Sequence, residues 1–239
     1  MTPGSAALRS HYLDALGIEQ WKLRRAAPTA ASAVVPAVVP AVQPDAAIAS
    51  GDEWAALEAE VRGCRQCGLH ATRTQTVFGV GNRSAKLLVV GEAPGADEDR
   101  LGEPFVGRAG QLLNSMLRAL GSPREHVFIA NVLKCRPPGN RDPNPDEVSC
   151  CRPFLQRQIA LLQPQMMLAV GRIAAQNLLA TDTPISKLRG SVHRFGERAT
   201  PLIVTYHPAY LLRSPGEKRK AWSDLRFVRS EMARASEPE

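Results

Sequence analysis

Residues 86–108 read KLLVVGEAPGADEDRLGEPFVGR, and the fold turns on this passage. Leu87, Leu88, Val89 and Val90 form a short apolar run of the kind that makes a strand buried on both faces. The run breaks at Gly91-Glu92-Ala93-Pro94-Gly95 and enters a stretch carrying Asp97, Glu98 and Asp99, which reads as an acidic loop. In open α/β sheets, ligands bind just beyond the carboxyl ends of strands, where such loops sit.

Downstream, apolar runs alternate with helical spacing. A helix is expected over 109–120, with Leu112, Leu113, Met116, Leu117 and Leu120 as its apolar stripe and Gly121 as its stop. A second strand follows at 127–132, then the proline-rich loop CRPPGNRDPNP and a helix over 146–162. A third strand, 166–170, passes through Gly171 into a helix reaching Leu179. A fourth, 201–205, ends in Tyr206-His207-Pro208, and a last helix covers 217–232. Upstream, Asp52 is placed to cap a helix whose Trp54, Leu57 and Val61 share a face, and Gly63 ends it. This repeated β-then-α order predicts a mostly parallel sheet with helices on both faces.

Residues 1–51 do not look like core. The stretch 26–51 is an Ala/Val/Pro tract with Pro28, Pro36, Pro40 and Pro44, and proline's missing donor makes it a semi-rigid linker. Before it, residues 1–25 carry Tyr12, Leu13, Leu16, Ile18, Trp21 and Leu23, more apolar surface than so short a segment can bury alone. It is either a docking peptide for another protein or a segment folding back on the core.

The 239 residues suffice for one α/β domain with an appendage, and 30 Lys+Arg against 23 Asp+Glu give a net charge of +7. That excess favours a polyanionic partner without requiring one. With five cysteines, no secretory signal and no apolar run near the ~20 residues of a membrane span, a soluble protein of a reducing, cytoplasmic compartment is expected.

There paired cysteines more often mean metal than disulfide. Cys64 and Cys67 form a CxxC; Cys135 and Cys151 are further candidates, with Cys150 as an alternative fourth member. Four thiolates fit an iron–sulfur cubane or structural zinc. Zinc ribbons carry two close pairs, whereas the second pair here is far apart, which favours iron–sulfur.

Strand ends carry the other chemistry. The first leads to Glu92, Glu98 and Phe105, the second carries Asn131 and the fourth leads to His207. A carboxylate, an aromatic ring, an amide and an imidazole in one crevice suit recognition of a planar heterocycle.

GEAPGADED, the Phe105-Val106-Gly107-Arg108 segment, Asn131, the four cysteines and HPAYLLR together resemble the family 4 uracil-DNA glycosylases over residues 63–229. The resemblance implies a three-layer αβα sandwich around a four-stranded parallel sheet and removal of uracil from DNA by a monofunctional hydrolase, without a lyase step. It implies a [4Fe-4S] cluster on Cys64, Cys67, Cys135 and Cys151, leaving Cys150 spare. Glu92, Ala93 and Pro94 would line the uracil pocket, Phe105 would stack on the base, Asn131 would bond its Watson–Crick edge and His207 would face O2. Tyr210, Leu211 or Leu212 would wedge into the duplex while Arg213 meets phosphate. Ala93 stands where the best-studied uracil-DNA glycosylases carry an aspartate, so the catalytic carboxylate is left between Glu92 and Glu98. Glu98 is also a candidate guard against the thymine methyl. The related enzymes that trap uracil covalently do so through a histidine in an inserted loop; no histidine occurs between His126 and His193, so turnover is expected.

The segment LGIEQWKLRR resembles the N-terminal segment of the psi subunit of bacterial clamp loaders, which implies a replication partner. From these features the alternative to a monomeric glycosylase is a non-catalytic iron–sulfur adaptor joining DNA to the replication machinery. A zinc-bearing nucleotide-binding protein is disfavoured, because neither GxGxxG nor a GK[ST] P-loop is present.

Overall fold

The structure, a computed structural model, describes residues 51–235. The peptide expected at 1–25 and, but for its last residue, the linker expected at 26–51 lie outside them, as does the side chain of Asp52.

In chain order the elements are α1 (Gly51–Gly63), β1 (Val80–Gly81), β2 (Leu87–Gly91), α2 (Ala96–Leu101), α3 (Arg108–Leu120), β3 (Phe128–Asn131) and α4 (Pro145–Leu162). They continue with β4 (Met166–Val170), α5 (Arg172–Leu179), α6 (Ile185–Leu188), β5 (His193–Phe195), β6 (Thr200–Thr205), α7 (Pro208–Arg213) and α8 (Lys218–Arg234). One sheet runs β1-β3-β2-β4-β6-β5. Its centre is the expected set of four parallel strands; β1 and β5 are short antiparallel edges. Two and three residues long, these edges lie below the length at which alternation can be read.

Period-two alternation builds the layers. Leu88, Val90, Met167 and Ala169 face a cluster with Trp54, Leu57 and Val61 of α1 and Phe154 and Leu155 of α4. Leu87, Val89, Leu168 and Val170 face the opposite cluster, with Leu113 and Leu117 of α3 and Leu225 and Val228 of α8. Burial on both faces explains why the strands read as continuous apolar runs.

Two further segments are helical, one of them read from sequence as a loop. The acidic stretch forms α2, where carboxylates in the first turn complement the helix dipole and the Glu98 carboxylate accepts from the Gly95 N–H at 3.1 Å. Residues 208–213 form α7, with Pro208 in the first turn.

Register sets the site. Gly91 is paired with Asn131 and Val170 with Thr205, so the carboxyl ends of the parallel strands are level. The chain runs outward from β2 to β3 and then crosses back to β4, so connections leave β2 and β4 towards opposite sides. A crevice opens at such a switch point.

Candidate active site

A cleft of about 740 Å³ opens over these strand ends, within the range of small-molecule sites. Glu92, Ala93, Pro94, Glu98, Phe105, Asn131 and His207 all line it, joined by Tyr210 and Arg213. The far side of the cleft, with Arg141, Gly171, Arg172 and Ile185, was not among the residues expected there.

At its floor Asn131 is 2% exposed, and its Oδ1 is a buried side-chain atom without a hydrogen-bond partner among the described residues. An unmet buried acceptor costs ~1–3 kcal/mol, a penalty retained here at a position that faces the cleft. A Cβ on Gly91 would lie 2.4 Å from that Oδ1 and 2.6 Å from the Phe105 ring, so only glycine lets amide and ring stand this close to the strand.

Phe105 sits at φ 56, a left-handed conformation that costs a non-glycine residue roughly 1–3 kcal/mol. Arg124 holds it there: its guanidinium donates to Glu103 Oε1 at 2.7 Å, the Pro104 carbonyl at 2.6 Å and the Phe105 carbonyl at 3.5 Å. Gly110 closes the other side, where an added Cβ would fall 1.8 Å from the Phe105 carbonyl oxygen.

The two carboxylates differ in what they touch. Glu98 is spent on backbone: Oε2 accepts from Gly95, and Oε1 accepts from Val106 at 3.0 Å and Gly107 at 3.3 Å. It braces the loop carrying Phe105. The Glu92 carboxylate has no hydrogen-bond partner among the described residues. Burial pushes its pKa up to about 7; Asp142 adds to the rise and Arg172 offsets it. That value suits a group exchanging protons near neutrality.

His207 caps α7 with its own ring: Nδ1 accepts from the Ala209 N–H at 3.1 Å. That bond uses the Nδ1 lone pair, so the proton of the neutral ring is on Nε2. Burial, helped by Arg213 and opposed by Glu98, lowers the ring's pKa to about 4, so it is neutral at physiological pH. The ring lies 5.6 Å from that of Phe105.

Of the residues expected to enter DNA, Leu211 is corrected: it is 1% exposed and packed in the core beside α3 and α8. In a helix only one face of LLR can look outward. Leu212 and Arg213 remain accessible, while Tyr210 is half-buried, its ring 5.0 Å from that of Tyr206.

Below the sheet ends, Cys64, Cys67, Cys135, Cys150 and Cys151 line a second, small pocket with Val61, Leu69, Leu133 and Phe154. Among the described residues no three His, Cys, Asp or Glu side chains are arranged to hold a single metal ion. Arg73 donates to Cys135 Sγ at 3.0 Å and the Lys134 N–H to Cys151 Sγ at 3.2 Å, while Cys150 turns to the Gln66 carbonyl at 3.4 Å. Burial pushes the thiols of Cys67 and Cys135 up, and that of Cys151 to about 11, opposed by Arg73 at Cys135 and by Lys134 at Cys151. Four thiols, N–H donors to two of them and an apolar lining form a donor set that fits a polynuclear iron–sulfur centre.

Sequence reading missed Gly91, Arg124, Arg73 and Lys134. GEAPG carried a signal for the first, since glycine at a strand end marks close approach. The arginines carried none, because Arg124 and Arg73 serve groups 19–21 and 62 positions away. Lys134 is 1% exposed, its ammonium bound to the Asn131 carbonyl at 2.8 Å and Gln158 Oε1 at 2.6 Å.

The sequence matches the model of the uracil DNA glycosylase superfamily over residues 78–226. It is 47% identical over 176 residues to a type-4 uracil-DNA glycosylase of Archaeoglobus fulgidus, covering 71% of this chain and 88% of that protein. To a type-4 uracil-DNA glycosylase of Thermotoga maritima it is 44% identical, covering 66% of this chain and 82% of that one. A type-5 uracil-DNA glycosylase of Thermus thermophilus is 31% identical over 55% of this chain and 68% of its own length.

Proposed function

The chain belongs to the type-4 uracil-DNA glycosylases, and on that premise we propose that the cleft takes a uracil flipped from DNA and hydrolyses its N-glycosidic bond. The observation that carries the assignment of the site is the partnerless Asn131 Oδ1 at the floor of the cleft, beside Phe105 and His207. Uracil offers what that atom lacks: its N3–H donates to Oδ1, and its O4 accepts from the amide nitrogen of Asn131. Cytosine presents an acceptor at N3, so in this orientation of the amide it would leave Oδ1 unmet, a discrimination of the strong, polar kind. Phe105 provides the stacking face.

When the C1′–N1 bond breaks, its electron pair leaves on uracil and charge gathers on O2, while positive charge develops on the sugar. Nε2–H of neutral His207 is the preorganised donor to O2, in a site where such a donor is worth about 10²–10³ in rate. Glu92 stabilises the sugar cation and takes a proton from the attacking water, whose oxygen bonds to C1′. Glu98 shapes the wall through the backbone it braces. In a duplex the base must first leave the stack, at a cost of about a few kcal/mol. Tyr210 and Arg213 line the cleft and Leu212 lies between them on α7; in this reading Tyr210 or Leu212 fills the gap and Arg213 meets phosphate.

Cys64, Cys67, Cys135 and Cys151 would hold a [4Fe-4S] cluster, which when bound supplies a covalent tie between the segment before β2 and the loop after β3. A DNA substrate is consistent with the net charge of +7, and among the described residues no helix is long and apolar enough to cross a membrane.

The test is excision from oligonucleotides carrying one uracil, cytosine, thymine or hypoxanthine. Release of uracil by the wild-type protein, with Glu92→Gln and His207→Ala binding the same DNA but releasing little, is expected. Unchanged release by both variants overturns the roles; DNA binding without any release supports the adaptor reading.

A further inference from the structure

The cleft is larger than one pyrimidine needs, and its far rim is arranged around an ion pair. Arg172, the first residue of α5, points its Nη2 at Asp142 Oδ2, 2.6 Å away on the loop after β3, while Nη1 reaches Gln176 Oε1 at 3.3 Å. Arg172 lines the cleft. It follows Gly171, whose Cα packs on His207: an added Cβ would lie 3.1 Å from the His207 Cβ. Arg213, at the end of α7, also lines the cleft and has no ion pair among the described residues. Two arginines therefore line the same cleft as His207.

Arg141 also lines the cleft, but its guanidinium is committed to Glu147 through bonds of 2.9 and 2.6 Å. The Glu147 side chain is only 10% exposed, so that pair is structural. The Arg172–Asp142 pair is different: its side chains are 50% and 65% exposed. An exposed pair of this kind is worth at most about fivefold in an equilibrium, and a better anion displaces it. A phosphodiester offers the guanidinium the same two-oxygen edge as a carboxylate.

We propose that Arg172 binds a backbone phosphate flanking the flipped nucleotide, and that Asp142 occupies its guanidinium until DNA arrives. The inference rests on the cleft being the nucleotide site. It makes Asp142 a competitor of substrate and assigns Arg172 a contact on the strand that carries the uracil. The pair also reaches Glu92 electrostatically, so exchanging Asp142 for phosphate alters the field at the proposed carboxylate.

The experiment measures kcat/KM on single-stranded oligonucleotides with one uracil, either unmodified or with one neutral methylphosphonate immediately 5′ or 3′ of it. Wild type, Arg172→Gln, Asp142→Asn and the double variant are compared over a range of salt. Arg172→Gln is expected to lose about tenfold or more and to flatten the salt slope by about 0.7. One of the two methylphosphonates should cost wild type a similar factor and cost Arg172→Gln nothing further. Asp142→Asn should gain two- to fivefold alone and nothing in the Arg172→Gln background. Additive losses at both methylphosphonate positions, or an Asp142→Asn gain that persists without Arg172, overturn the proposal. Wild-type excision is the control: its absence strikes the reading of the site, whereas excision with additive losses strikes only the role of Arg172.

Discussion

Nδ1 of His207 accepts the backbone N–H of Ala209 at 3.1 Å, so a helix terminus fixes the tautomer of a buried imidazole. The same residue ends the strand connection, caps α7 and faces the cleft. Its reactive proton is thereby placed on Nε2 by local backbone geometry.

The pH profile follows from the two shifted groups. With Glu92 near 7 and His207 near 4, kcat/KM should rise with pH until Glu92 is deprotonated and show no imidazole limb above pH 5. Glu92→Gln should remove the limb near neutrality. A profile flat from pH 5 to 8 in the wild type would sink the assignment of Glu92.

Stability carries opposite signatures. His207 is depressed from 6.5 to about 4, so the unfolded chain holds the extra proton in that window and stability falls as pH drops through it. Glu92 is raised from 4.5 to about 7, so the folded protein holds the extra proton there and stability falls as pH rises through it. Denaturant midpoints should shift oppositely in the two variants: His207→Gln less acid-sensitive, Glu92→Gln flatter towards neutrality.

Gly91→Ala drives a methyl into Asn131 Oδ1 and the Phe105 ring. A loss of about 1–3 kcal/mol of stability is expected, together with weaker inhibition by free uracil. Wild-type inhibition by uracil would mean that the amide and ring do not contact the base.

Arg124→Met removes the bonds to the Glu103 carboxylate and to the Pro104 and Phe105 carbonyls, and leaves Phe105 free to abandon its left-handed conformation. KM should rise several-fold with kcat less affected, since stacking binds the ground state as well. Equal loss in kcat with unchanged KM would contradict the positioning role.

Cluster occupancy is checked by broad absorption near ~400 nm and by iron and sulfide content. Cys135→Ser and Cys151→Ser should lose both, and Cys150→Ser should keep them. Retention by Cys151→Ser with loss by Cys150→Ser would exchange the fourth ligand.

The order of the central strands and of the longer helices, and their apolar faces, were legible in sequence, because each depends on spacing within one strand or a few helical turns. The edge strands were not, being too short to alternate, and the acidic stretch was read as a loop although Glu98 supplies its own N-terminal bond. Leu211 was named with its neighbours as a wedge because sequence alone does not say which face of α7 meets the core.

Sequence by itself determined which reactive groups sit at the strand ends: Glu92 after β2, Asn131 on β3, His207 after β6, and a CxxC ahead of them. Tertiary structure alone decided their states. Among the described residues, packing spends Glu98 on backbone N–H groups 8 and 9 positions away, leaves Glu92 without one, buries Asn131 Oδ1 unpaired and sets Arg172 against a carboxylate 30 positions back. Residue type fixes what a group can donate or accept; only the neighbours brought by the fold fix what remains unmet for a ligand to satisfy.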